Sequence, residues 1–209
     1  MRTTLLTLAA SLLLIPAARA ADDGWTHLFN GADLKGLKFQ FMDKDKDSDP
    51  AKTFSVKDGA LIVTGKPTCY FYTDKSYSNY VVTFDWRFPE NGTPDYNSGC
   101  LMHIQPPHKV FPKCVEAQGR YKDHGKLYAV GGLKGLTATF DAEAHKKALK
   151  AMGEWNTTEV TCKADGSISV KLNGTPIASG KSELTEGPIG WQSEGFEVHF
   201  KNIKIKQLK

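Results

Sequence analysis

Nine residues constrain this chain more than any others: Tyr80-Val81-Val82-Thr83-Phe84-Asp85-Trp86-Arg87-Phe88. Tyr80, Val82, Phe84, Trp86 and Phe88 fall on one side of a strand, and Val81, Thr83, Asp85 and Arg87 fall on the other. A strand so divided needs an apolar layer to cover one face and tolerates water on the other. Similar segments occur at 54–56, 61–63, 99–104, 114–118, 158–163, 167–172, 187–192 and 197–207, between turns such as Lys57-Asp58-Gly59, Asp165-Gly166 and Asn173-Gly174. The last segment alternates imperfectly, and its pattern predicts a bulge near Lys201-Asn202. Only residues 141–152 read as a helix, with Asp141 as N-cap and Lys146, Lys147 and Lys150 suited to the C-terminal dipole. About ten short strands and one helix imply an all-β chain folded as a two-sheet β-sandwich.

The N-terminus reads differently. Arg2, an apolar run over residues 5–15 and the ending Ala18-Arg19-Ala20 form the pattern of a secretory signal peptide cleaved after residue 20. The run is shorter than the ~20 apolar residues that cross a bilayer, and no later run approaches that length. The expectation is a secreted or periplasmic protein with one domain over residues 21–209. Loss of Arg2 and Arg19 reduces the formal charge from +4 to +2, and no basic stripe interleaved with aromatics remains, which argues against a nucleic-acid partner.

Export makes Cys69, Cys100, Cys114 and Cys162 candidates for disulfides, with three full pairings open. Cys100 and Cys114 flank a Pro-rich segment, 105–112, that a bridge would close. No C-x-x-C spacing points to thiolate zinc. Residues 43–49 resemble the start of a calcium loop, but Ser48 and Phe54 occupy the positions where an EF-hand needs Gly and Glu. No cofactor is specified. A divalent metal, structural calcium or a catalytic ion around His103, Glu116 and His124, stays open because no H-x-H or H-E-x-x-H spacing supports it.

Polar residues at i, i+2 on strands suit a sugar, which needs several donors and acceptors on a rigid surface. Glu116 and Gln118 form one such pair, Asp85 and Arg87 another, and period-2 geometry places His103 on the side of Leu101. Asn97 before that strand and Tyr128 after Gly125-Lys126-Leu127 complete the candidate set. The run Glu116-Ala117-Gln118-Gly119-Arg120-Tyr121 holds one carboxylate, where sandwich-fold β-glucanases carry E-x-D-x-x-E. Ordinary two-carboxylate hydrolysis is therefore disfavoured, and without G-x-S-x-G so is serine-nucleophile chemistry.

Eight short motifs in order resemble the 3-keto-disaccharide hydrolase family. They are Leu28-Phe29-Asn30-Gly31-Ala32-Asp33-Leu34, Phe84-Asp85-Trp86-Arg87, Asn97-Ser98-Gly99, Glu116-Ala117-Gln118, the stretch 125–128, Glu154-Trp155-Asn156, Leu172-Asn173-Gly174, and Gly187-Pro188-Ile189-Gly190-Trp191-Gln192 with the closing stretch 200–205. His103 stands where many members have Arg, and Ala129-Val130 replaces a glycine. The resemblance implies a concanavalin-like jelly roll and cleavage of glycosides already oxidised at C3. A C3 ketone acidifies the C2 proton, so one base, one stabiliser for the enolate oxygen and one acid suffice. On that chemistry Glu116 is the expected base, with His103 as acid or oxyanion partner and Arg87 as charge stabiliser. Asn97, Gln118, Asp85 and Tyr128 would hold the oligosaccharide or glycoside ligand. The alternative is a non-catalytic carbohydrate-binding module of the cell envelope.

Overall fold

The computed structural model describes residues 24–209. The expected signal peptide, 1–20, lies outside the described residues. In chain order the strands are β1 (Trp25–His27), β2 (Leu37–Phe41), β3 (Phe54–Lys57), β4 (Ala60–Val63), β5 (Cys69–Thr73), β6 (Tyr80–Arg87), β7 (Gly99–Gln105) and β8 (Lys113–Gln118). They continue with β9 (Leu127–Val130), β10 (Leu136–Phe140), β11 (Asn156–Cys162), β12 (Ser167–Leu172), β13 (Thr175–Ser182), β14 (Gly190–Ser193) and β15 (Val198–Gln207), with α1 (Ala142–Ala148) between β10 and β11.

The strands form two antiparallel sheets. One has nine strands in the order β10-β13-β12-β11-β6-β15-β4-β3, with β1 also paired to β15. The other has six, β2-β5-β14-β7-β8-β9. The apolar side of β6 faces the gap between them, where Tyr80, Val82, Phe84 and Trp86 are buried. Trp191 of β14 stacks on Phe71 of β5 at 5.3 Å and meets the edge of Phe84 at 5.7 Å, tying the sheets together. His124 lies flat on Trp86 at 4.0 Å, and its Nε2 is 2.6 Å from Thr158 Oγ1. The same hydroxyl accepts from Trp86 Nε1 at 2.9 Å.

The expected bulge is present: the β15–β6 register shifts between Lys201 and Lys204, and Asn202 has φ of 53°. Three other expectations change. Strands β1, β2, β5, β9, β10 and β13 escape the alternation pattern: β10 is exposed on an edge, β13 contains Pro176 and Gly180, and β5 is apolar almost throughout. The helix is capped by Asp141, which accepts from Ala144 N at 2.9 Å, but it ends at Ala148. Beyond it Lys150 N donates to Asn156 Oδ1, which draws the chain towards β11. The stretch 43–52 holds two 3₁₀ turns, and Asp49 uses its carboxylate to cap Ala51 N.

All four cysteines are buried free thiols. Cys100 packs in the main core, whereas Cys114 belongs to a second apolar cluster on the outward side of the same sheet. Alternation along β7 and β8 thus turns the two side chains away from each other. Among the described residues no helix is long and apolar enough to cross a membrane.

Candidate functional site

The outward face of the six-stranded sheet carries an unusual mixture of buried polar atoms. Glu116 of β8 lies between Leu101 of β7 and Tyr128 of β9 and is 8% exposed. Gln192 of β14 is 3% exposed. Between their strands stands Gly99, and its lack of a side chain is what lets both reach the same point. A Cβ there would lie 2.0 Å from Gln192 Oε1 and 2.2 Å from Glu116 Oε1, so the two oxygens are at most 4.2 Å apart. Gln192 Oε1 and Asn97 Oδ1 are buried without a protein partner. Such atoms cost stability unless something polar meets them, so they are the first place to look for ligand contacts.

Burial raises the Glu116 pKa to about 8, with help from the carboxylates of Glu194 and Asp123 and against the opposing pull of Arg120. Glu194 follows Gln192 by two residues, and burial raises its carboxyl too. Arg120 grips Asp123 through two hydrogen bonds, Nε at 2.8 Å and Nη2 at 2.6 Å. Burial alone would raise Asp123, but the guanidinium outweighs it and the carboxyl is held low. Tyr128 Oη reaches Asp123 at 3.5 Å, and Lys126 Nζ lies 5.3 Å over the Tyr128 ring. Gln118 Oε1 accepts from Arg120 N at 3.0 Å. The site thus offers one carboxyl poised near neutrality, a second raised carboxyl and a fixed cation.

One end of this face is closed. Tyr70, Leu101, Ile104 and Cys114 form a buried apolar cluster on it. His108, from the Pro-rich segment 105–112, comes within 3.3 Å of Tyr70 Oη and packs on the Tyr72 ring at 5.0 Å. Glu116 therefore stands at the border between a sealed apolar patch and a polar one.

Of the residues singled out in the sequence, Glu116, Gln118 and Tyr128 share this face, and Asn97 lies just ahead of β7. The structure does not bring the others to them. Asp85 and Arg87 face outward from the nine-stranded sheet, on the far side of the sandwich. Asp85 accepts from Thr157 Oγ1 and Asn202 Nδ2, each at 2.6 Å, and Arg87 donates to His199 Nδ1 at 3.2 Å while stacking on Trp155. His103 is turned inward because the β7–β8 register shifts after Met102 and His103 itself has φ of 56°. Its ring meets Tyr80 at 5.7 Å, its Nδ1 is 2.9 Å from Leu184 O, and burial lowers its pKa to about 4. His124 is likewise interior, its pKa lowered to about 3 chiefly by burial. Among the described residues no three His, Cys, Asp or Glu side chains gather as a metal-ligand set.

Sequence reasoning missed Gln192, Glu194, Arg120 and Asp123. Gln192 and Glu194 form an i, i+2 polar pair ending the Trp191 strand, the same signal that marked Glu116 and Gln118. Arg120 and Asp123, at i, i+3, sit in a turn whose 3₁₀ geometry closes their ion pair.

Several solved structures share this architecture. A "putative glycosyl hydrolase" of Parabacteroides distasonis ATCC 8503 is 27% identical with a TM-score of 0.62, covering 89% of this chain and 94% of its own. A second from the same organism is 23% identical, TM-score 0.63, over 88% and 99%. The carbohydrate-binding module CBM66 of Bacillus subtilis shares the fold at 10% identity and a TM-score of 0.59, over 82% and 96%. No functionally curated protein is detectably similar in sequence. The 3-keto-alpha-glucoside-1,2-lyase-like domain model matches residues 24–206, from ahead of the first strand almost to the end of β15, and the chain belongs to that family.

Proposed function

We propose that this protein is a carbohydrate-active enzyme that cleaves glycosides carrying a ketone at C3, by elimination followed by hydration, with Glu116 as the proton-transferring base. The observation that carries this reading is the Glu116 carboxyl, buried and raised to about 8, beside the unpartnered oxygen of Gln192. A base of that strength suits a proton made acidic by an adjacent ketone.

In the first half-reaction the Glu116 carboxylate takes the C2 proton, and the electron pair moves onto the C3 oxygen as an enolate. Arg120, held by Asp123, supplies positive charge for that oxygen. The enolate then re-forms the ketone, a C1–C2 double bond appears and the C1–O bond breaks. The departing oxygen takes a proton from Glu194, whose burial favours the protonated form. In the second half water adds its hydroxyl to C1, Glu116 returns the proton to C2, and the remaining water proton restores Glu194. The sum is hydrolysis. Gln118, Asn97, Gln192 and Tyr128 hold the sugar. Residues 1–20 are read as an export signal, so substrate is met outside the cytoplasm; N-terminal sequencing of the secreted protein tests this.

The decisive assay compares wild type with Glu116→Gln on a 3-keto-glucoside and on its unoxidised parent, with circular dichroism as the folding control. Wild type should turn over only the 3-keto form, and the variant should lose roughly 100-fold or more of that rate. A folded variant with unchanged turnover overturns the assignment of Glu116. Saturable sugar binding without turnover by the wild type overturns the enzyme reading itself.

A further inference from the structure

The opposite face of the sandwich carries a feature that the proposed reaction does not use. The strand registers of the nine-stranded sheet align Trp25 (β1), Lys206 (β15), Val81 (β6), Thr161 (β11), Ser169 (β12), Ser179 (β13) and Thr139 (β10) in a single cross-strand row. At about 4.8 Å between strands, that row is about 29 Å long. Four consecutive members end in hydroxyls, and Thr139 Oγ1 lies 3.0 Å from Ser179 Oγ. The hydroxyl part lines a groove of 510 Å³. At the other end Trp25, Thr83 and Lys204 line a hollow of 330 Å³, where Lys204 Nζ sits 5.0 Å over the Trp25 ring.

Ammonium groups flank the row on both sides. On one side stand Lys163, whose N donates to Ser167 O, and Lys181, paired in register with Ser167. On the other stand Lys204 and Lys171, the latter bonded to Glu159 at 2.9 Å. Of the acids on this face, Glu159 and Asp85 line the Trp25 hollow, Asp141 and Glu143 line a neighbouring hollow beside Thr139, and Asp165 stands at the turn before Ser167. Asp165 accepts from Ser167 N at 2.9 Å and lies within electrostatic reach of Lys163 and Lys181. The hydroxyl groove itself is lined by Lys163 and Lys181, with no carboxylate among its lining residues.

From this row and its flanks we infer that the outer face of the nine-stranded sheet is a binding track for an anionic polysaccharide, one bearing uronate carboxylates. An extended chain of sugar rings lies across the strands. Its hydroxyls exchange hydrogen bonds with Thr161, Ser169, Ser179 and Thr139, its carboxylates meet the flanking lysines, and an apolar ring face meets Trp25. A polyphosphate backbone fits less well, because Glu159 and Asp165 stand inside the track and repel a dense line of charge. This inference stands independently of the reaction proposed for Glu116.

Affinity electrophoresis through gels containing polygalacturonate, dextran or double-stranded DNA tests it, with the whole protein in each lane. Polygalacturonate should retard the wild type and Glu116→Gln equally. Lys163→Ala/Lys181→Ala should weaken retention about fivefold, the scale of two exposed ion pairs. Ser169→Leu, which keeps the charge but fills the groove, should weaken it as well. The three side chains substituted in the track, Lys163, Lys181 and Ser169, are exposed on the sheet, and circular dichroism confirms folding. No retardation, equal retardation of wild type and both track variants, or equal retention by dextran or DNA overturns the proposal.

Discussion

Gly99 lies diagonally across β7 and β8 from Glu116, and a Cβ on it would stand 2.2 Å from Glu116 Oε1. The same atom would stand 2.0 Å from Gln192 Oε1, so the glycine serves two side chains at once. The absent methyl is what allows a carboxyl and an amide to converge on the sheet face. Gly99→Ala must displace both. Since an error of about 1 Å in a catalytic group costs ~100-fold, turnover of a 3-keto-glucoside should fall by at least tenfold. Thermal melts should show a much smaller change, because the added methyl meets only the far ends of two flexible side chains.

Glu116 also makes two pH predictions. As the proposed base it acts ionised, so the rate of C2 proton abstraction, read from solvent exchange at C2, should rise with pH to a midpoint near 8 and then level off. For stability the sign is opposite. A carboxyl whose folded pKa is raised stabilises the fold most below its unfolded value, 4.5, and that contribution is lost as pH rises through about 8. Glu116→Gln should therefore be more stable than wild type at pH 9 by on the order of 5 kcal/mol and nearly equal to it at pH 4. Urea melts at the two pH values decide this.

Glu194 lies near enough to Glu116 to raise its pKa through like charge. Glu194→Gln should shift the rising limb of the pH–rate profile to lower pH by several tenths of a unit. It should also lower kcat, because the departing oxygen loses its acid. A profile that keeps its midpoint while kcat is unchanged removes Glu194 from the site.

Arg87 offers the converse test. Its guanidinium lies 4.6 Å from the Trp155 ring on the far face of the sandwich. Arg87→Ala should leave turnover of a 3-keto-glucoside within about twofold of wild type, as expected of a half-buried cation remote from the reacting atoms. A large loss of kcat in a folded variant would restore the role that its motif suggests.

Thr158 is the hub of a buried network, joined to Trp86 Nε1 at 2.9 Å and His124 Nε2 at 2.6 Å. Thr158→Val keeps the shape but leaves both nitrogens unpaired, which costs about 1–3 kcal/mol for each. The melting temperature should drop without any shift in the pH–rate midpoint, since the network lies inside the sandwich and not at Glu116.

How much of this was legible beforehand depends on the range of the forces involved. The β6 strand, the β15 bulge, the Asp141 cap and the sandwich class follow from neighbours within a few residues. Strand β5 offered no alternation because Cys69, Tyr70, Phe71 and Thr73 are all buried, with cluster packing on both faces. His103 obeyed the i, i+2 rule in sequence and broke it in space, because one residue at positive φ reverses the side.

The sequence by itself determined nine of the fifteen strands, several of their turns, the family motifs and the pairing of Glu116 with Gln118. Only the tertiary structure decided which polar pairs meet. Period-2 alternation says that two residues share a side of a strand, but not whether that side looks into the core, into the candidate site or out of the opposite sheet. That choice rests on strand orders such as β14-β7-β8, which unite residue 192 with 99 and 116 across long stretches of chain. It brought Gln192 to Glu116 across Gly99, with Glu194 and Arg120 within electrostatic reach, and it set Asp85 and Arg87 on the other side of a closed apolar core.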